Sequence, residues 1–127
     1  MEREYPDKTV LIIDDDAMNL HVAEMLLKKE LGVKTELSKG GLDGIMCLQE
    51  HEDIHLVLLD IQMPVVDGLR TLELIRKHEE WDHIPVIFLT ASEDQETMEQ
   101  AERLGAAGYI KKPFLPQELV AQVKRAL

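Results

Sequence analysis

Residues 56 to 69 read LVLLDIQMPVVDGL. Four apolar side chains in a row, with no polar alternation, fit a strand covered on both faces, as in a parallel sheet flanked by helices. Asp60 ends this run, so its backbone is anchored in the core while its carboxylate is held at the mouth of the sheet. Asp67-Gly68 reads as a turn leading into the next helix.

The same grammar repeats along the chain. Short β-branched runs at 9–14 (TVLIID), 33–38 (VKTELS), 55–60 (HLVLLD), 85–90 (PVIFLT) and 108–111 (GYIK) predict five strands, four of them nearly continuously apolar. Segments whose apolar residues return every three or four positions predict helices over 17–31, 40–50, 69–78, 93–104 and 116–127. Asp16 is a candidate N-cap for the first, Gly32 its stop, and Pro116 suits the first turn of the last. The inward faces are expected to carry Val22, Ala23, Leu26 and Leu27 in the first helix, and Leu42, Ile45, Met46 and Leu48 in the second. Leu69, Leu72 and Ile75 do so in the third, and Leu119, Val120 and Val123 in the fifth. Alternating strands and helices with right-handed crossovers give a doubly wound α/β fold.

With 127 residues and no linker, repeat or low-complexity tract, the chain is expected to form one domain, 1–127. Its formal charge of −11 repels phosphate backbones and anionic lipid, which disfavours direct nucleic-acid or membrane binding. Neither a signal sequence nor a bilayer-length apolar span is visible, so a cytoplasmic location is expected. Cys47 is the sole cysteine and reads as a buried structural thiol.

Ligands of doubly wound sheets bind at the carboxyl edge of the strands. The first strand ends there in Asp14-Asp15-Asp16, the third in Asp60, the fourth in Thr90 and the fifth just before Lys111-Lys112-Pro113. If the first and third strands are neighbours, about 4.8 Å apart, Asp14, Asp15 and Asp60 repel one another strongly. A hard divalent cation relieves this, and Mg²⁺, with Mn²⁺ as a substitute, suits an all-oxygen site. A carboxylate can also attack phosphorus and become an aspartyl phosphate. Lys112 then supplies a second positive group and the Thr90 hydroxyl a hydrogen bond to a phosphoryl oxygen.

VLIIDDDAMN, LVLLDIQMPVVDGL, VIFLTAS and GAAGYIKKPF, in this order and spacing, resemble the receiver domain of two-component response regulators over essentially the whole chain. The resemblance implies a flavodoxin-like five-stranded parallel sheet of order 2-1-3-4-5. It implies Mg²⁺ on Asp14, Asp15, Asp60 and the backbone carbonyl of Gln62, phosphorylation at Asp60, and Thr90, Lys112 and Tyr109 as phosphate-binding and switch residues. It also implies a cis bond after Lys112 and a phosphohistidine donor on a histidine kinase or phosphotransfer protein. The output is then read by a partner or an absent output domain on the face of the fourth helix, fifth strand and fifth helix. Gln62 and Ser92 flank the site and are expected to govern access of attacking water.

Two rivals are weighed against this switch. A haloacid-dehalogenase-type phosphohydrolase also uses an aspartyl nucleophile and Mg²⁺, but places it after the first strand in D-x-D-x-[TV], where Met18 occupies the last position here. A receiver-like module that no longer accepts phosphate is weakened by the presence of all five key side chains. Of the histidines, His51 and His55 are not expected to share a metal, and His21, His78 and His83 read as solvated. Trp81 is expected to cover apolar surface within an exposed helix end and loop.

Overall fold

The computed structural model describes residues 4–91 and 94–127. Ser92 and position 93, the expected start of the fourth helix, lie outside the described residues.

Five parallel strands, β1 (Thr9–Ile13), β2 (Lys34–Ser38), β3 (Ile54–Asp60), β4 (Val86–Thr90) and β5 (Gly108–Lys111), stand in the order β2-β1-β3-β4-β5. Helices α1 (Ala17–Leu31), α2 (Gly41–Glu50), α3 (Gly68–Arg76), α4 (Gln95–Arg103) and α5 (Pro116–Ala126) connect and follow them. Every expected element is present, with ends within two residues of the sequence reading.

Because successive strand side chains point to opposite faces, the unbroken apolar runs feed two separate cores. Val10, Ile12, Leu56, Leu58, Ile87 and Leu89 pack with Leu20 and Leu27 of α1 and Leu119 and Val123 of α5. Leu11, Ile13, Val57, Leu59, Val86 and Phe88 pack with Leu48 of α2, Leu72 and Ile75 of α3 and Ala101 of α4. The chain leaves β1 toward one face and β3 toward the other, so the topological switch point lies between their carboxyl ends, where doubly wound sheets place ligands.

The local signals act as expected at most ends. The Asp16 carboxylate accepts from the Met18 and Asn19 amides and caps α1, and Gly32, at φ 70°, closes it in the left-handed region. Asp67 caps α3 by accepting from the Arg70 amide at 2.8 Å. The segment before β4 forms a short 3-10 turn, Glu79–Trp81, in which Trp81 is buried. Arg76 ties it down by donating to the carbonyls of Trp81 and Ile84 at 3.0 and 2.9 Å.

The inward face of α2 differs from the expectation. Leu42 and Met46 are 54% and 55% exposed, and the buried positions are Gly41, Gly44 and Leu48. The reason is close approach: a Cβ on Gly44 would stand 2.3 Å from Ile13 Cδ1. The helix lies on its glycines, which turns the apolar residues between them outward. Cys47, expected to be buried, is only partly so.

Val65 has φ 69° and is 99% exposed. A β-branched residue is disfavoured there by about 1–2 kcal/mol because its Cβ crowds the following carbonyl. Val65→Asn is expected to raise unfolding stability by about 1 kcal/mol, read as a higher denaturation midpoint with an unchanged slope in urea.

Candidate functional site

The strand register assembles the site. Ile13 pairs with Leu59, so the next residues along, Asp14 and Asp60, stand side by side at the carboxyl edge. On the other side Asp60 pairs with Leu89, and Thr90 pairs with Lys111. The Lys112 amide donates to the Thr90 carbonyl at 2.9 Å, and the Lys112–Pro113 bond is cis.

Asp14, Asp60 and Thr90 are all buried, at 0%, 3% and 4% exposure. Lys112 Nζ lies 2.7 Å from Asp14 Oδ2 and 3.1 Å from Asp60 Oδ1. The Gln62 amide also donates to Asp60 Oδ1, at 3.3 Å, and the Asp16 amide donates to Asp14 Oδ1 at 2.9 Å. Asp14, Asp15 and Asp60 each offer a carboxylate oxygen within 4.8 Å of the others. Asp16 is used by its cap and does not join them.

One ammonium facing three carboxylates leaves the site short of positive charge. Asp14 Oδ2 meets Lys112 as an ion pair without the geometry of a directed hydrogen bond, and is a buried oxygen with no hydrogen-bond partner among the described residues. An acidic, all-oxygen cluster with an unsatisfied buried carboxylate fits Mg²⁺. Burial, followed by the Asp14 charge, pushes the Asp60 carboxyl up to about 6, against the pull of Lys112 and the Gln62 amide. Burial opposes the charge on Lys112, but its close pairing with the Asp14 and Asp60 carboxylates outweighs this and raises its pKa.

An acid whose pKa is raised on folding holds its proton in the native state where the unfolded chain has already lost it. Stability from Asp60 is therefore present below about pH 4 and lost as pH rises to about 6. In metal-free buffer, unfolding titrations of wild type and Asp60→Asn should show the wild type losing on the order of 2–3 kcal/mol relative to the variant across that window.

Thus Asp14, Asp15, Asp60, Lys112 and the Gln62 backbone do come together, with Thr90 at the end of the adjacent strand. Tyr109 is partly buried on β5; its hydroxyl donates to the Met98 carbonyl of α4 at 3.2 Å, while its own carbonyl accepts from Gln122 of α5 at 2.6 Å. Burial and Glu102 raise the Tyr109 pKa. Sequence reasoning gave Gly68 only a turn role. A Cβ there would lie 2.3 Å from the Asp60 carbonyl oxygen, so this glycine lets α3 start directly beneath the site. The sequence shows Gly68 following Asp60 but not the close approach that requires it.

His51 and His55 do not share a site: His55 Nδ1 accepts from the Thr9 amide at 3.1 Å, whereas His51 faces Glu36. His21 and His83 are exposed, and His78 is partly buried against the Trp81 ring, with centroids 4.3 Å apart. No described helix is long and apolar enough to cross a membrane.

The family model for the response regulator receiver domain matches residues 10–124. The polar-differentiation response regulator DivK of Brucella ovis is 32% identical, with 94% of this chain and 96% of that protein covered. Histidine kinase 3 of Arabidopsis thaliana is 32% identical over 93% of this chain but only 13% of its own length. The chain likewise spans 14% of two rice histidine kinases that it matches. A CheY-like receiver domain structure from Methanospirillum hungatei superposes with a TM-score of 0.82 at 30% identity, covering 93% of this chain and 91% of that one.

Proposed function

Because this chain belongs to the response regulator receiver domain family, a family of signalling phosphoacceptors rather than classical enzymes, we propose that Asp60 is the residue that takes the phosphoryl group. The observation that supports this is its setting: a buried carboxylate at the end of β3, held through Oδ1 by Lys112 Nζ and the Gln62 amide and flanked by Asp14 and Asp15.

Receiver domains accept phosphoryl groups from histidine kinases, are often linked to output domains, and typically bind Mg²⁺ at an acidic pocket. Here the metal would be held by Asp14, Asp15, Asp60 and the Gln62 carbonyl. When bound, it neutralises charge on the phosphoryl oxygens and on the crowded carboxylates. An oxygen of Asp60 attacks phosphorus in line, the bond from phosphorus to the donor imidazole nitrogen breaks, and its electron pair returns to that nitrogen. Lys112 stabilises the charge on the transferred group and the Thr90 hydroxyl donates to it. Lys112 Nζ already lies 3.1 Å from Asp60 Oδ1, so the ammonium needs little reorganisation. In this limited sense the chain assists its own phosphorylation. Gln62, exposed beside Asp60, governs the approach of the water that later removes the group, and Ser92 is assigned the same part.

The signal leaves by α4, β5 and α5. Ala101 is the only buried residue of α4, so this helix is lightly held, and the Tyr109 hydroxyl bond to Met98 is a direct tie between it and β5. Movement of Thr90 toward the phosphoryl group changes the space beside Tyr109 and with it the outward face of α4. We assign this face to a downstream protein or a linked output domain, with residues 1–127 acting as one cytoplasmic receiver unit.

Incubating the chain with a small-molecule phosphodonor and Mg²⁺, followed by intact mass, tests the proposal. Wild type should gain a single phosphoryl group, and none in EDTA. Unchanged mass with Mg²⁺ would identify a receiver-like module that no longer accepts phosphate. Continuous release of phosphate from unrelated esters would identify a phosphohydrolase.

A further inference from the structure

A second cluster of metal-ligating side chains lies at the other end of α2, away from the phosphoacceptor. Cys47 lies in the last turn of α2, and His51 is the extended residue that caps the helix, its amide donating to the Cys47 carbonyl at 2.9 Å. Glu36 comes from the edge strand β2, where it pairs with Leu11. Paired residues of neighbouring strands share a face, and Leu11 packs in the core beneath α2, α3 and α4. Glu36 therefore points at α2, where an apolar residue would ordinarily seal the edge of the sheet.

The three side chains converge. One ligand atom from each lies within 4.8 Å of the other two, and His51 Nε2 is 3.7 Å from Glu36 Oε1. Tetrahedral coordination with metal–ligand bonds of about 2.0–2.3 Å sets ligand atoms roughly 3.3–3.6 Å apart, so small rotations of side chains suffice. Among the described ion pairs Glu36 meets only His51, and no lysine or arginine. Both side chains are 40% exposed, which leaves the remaining coordination position open to water.

We propose that Glu36, Cys47 and His51 form a binding site for a borderline-soft divalent cation, with Zn²⁺ as the natural occupant. Thiolate and imidazole select zinc, whereas the all-oxygen cluster of Asp14, Asp15 and Asp60 selects Mg²⁺. The two sites are thus separated by ligand chemistry as well as by position. Burial, followed by the negative charges of Glu36, Glu50 and Asp53, pushes the Cys47 thiol up to about 11. A bound dication reverses that disadvantage, and the thiol proton passes to the buffer as the sulfur–metal bond forms. The bound ion ties the end of α2 to the sheet edge.

Titration of the full chain with ZnCl₂ in excess MgCl₂, followed by calorimetry and thermal unfolding, tests the assignment. Wild type should bind one equivalent and unfold at a higher temperature. Cys47→Ala, His51→Gln and Glu36→Gln should each weaken binding at least about tenfold, while Asp60→Asn should bind zinc as wild type does. Co²⁺ should give a thiolate charge-transfer band that is absent in Cys47→Ser, a second variant for use if Cys47→Ala folds poorly. Absence of zinc uptake, uptake indifferent to Cys47 and His51, or uptake abolished by Asp60→Asn would overturn the proposal.

Discussion

Asp60→Asn will take up no phosphoryl group from a small phosphodonor under conditions in which wild type is stoichiometrically modified. The amide is nearly the same shape, so the packing of β3 is kept, but a neutral amide oxygen is a poor nucleophile and neither neighbouring acid is placed as Asp60 is. Asp14 is fully buried and ion-paired to Lys112 at 2.7 Å, and Asp15 stands outside the strand in an exposed position. Loss of activity should come without loss of fold. The substitution removes one of three mutually repelling carboxylates, and at neutral pH in metal-free buffer the variant should unfold later than wild type, as the raised Asp60 pKa requires. Intact mass and thermal unfolding on the same samples distinguish this outcome from simple misfolding. A modified Asp60→Asn chain would move the phosphoacceptor elsewhere.

Gly68→Ala is expected to be the most damaging change of a single methyl group. The added Cβ would lie 2.3 Å from the Asp60 carbonyl oxygen and 2.7 Å from Ile61 Cα. Both are backbone atoms, so no rotamer change relieves the clash. The Gly68 amide also donates to the Ile61 carbonyl at 2.7 Å, which locks the two segments together. Either α3 lifts away from the sheet or the Asp60–Ile61 backbone shifts. The cost should be about 3 kcal/mol, at the upper end for an overpacked site and a large share of the 5–15 kcal/mol that holds a typical domain. Phosphorylation should slow as well, because Asp60 and the Gln62 amide move with the backbone. Gly40→Ser is the control: nothing lies within 4 Å of a Cβ there, the backbone is extended at φ −158°, and serine is a good N-cap for α2. Urea denaturation should place it within about 0.5 kcal/mol of wild type; equal stability of the two variants would refute the close-packing account.

Much of this was legible before any coordinates. Val10 to Ile13 and Leu56 to Leu59 are apolar without interruption because both faces of a parallel strand are covered, and the structure divides these residues by parity between two cores. Asp16, Gly32 and Asp67 marked helix ends because capping chemistry is local. The α2 face was misread because periodicity weighs side chains, and the contact there is made by glycines that have none. Leu42 and Met46 look like a core stripe until Gly44 is seen against Ile13.

The amino-acid order alone determined the alternation of strands and helices and the polar group waiting at the end of each key strand, since these depend on neighbours a few residues away. Through resemblance it also pointed to Asp14, Asp15, Asp60, Thr90 and Lys112 as the residues of the proposed phosphoacceptor site. Only the tertiary structure decided which distant residues meet. Register between β1 and β3 sets Asp14 beside Asp60, the approach of α3 leaves no room for a Cβ at Gly68, and the packing of α2 on the sheet edge brings Glu36 to Cys47 and His51. Local propensity acts over one turn or one strand, whereas these distances are fixed by how whole elements pack, and no pattern in the linear chain records that.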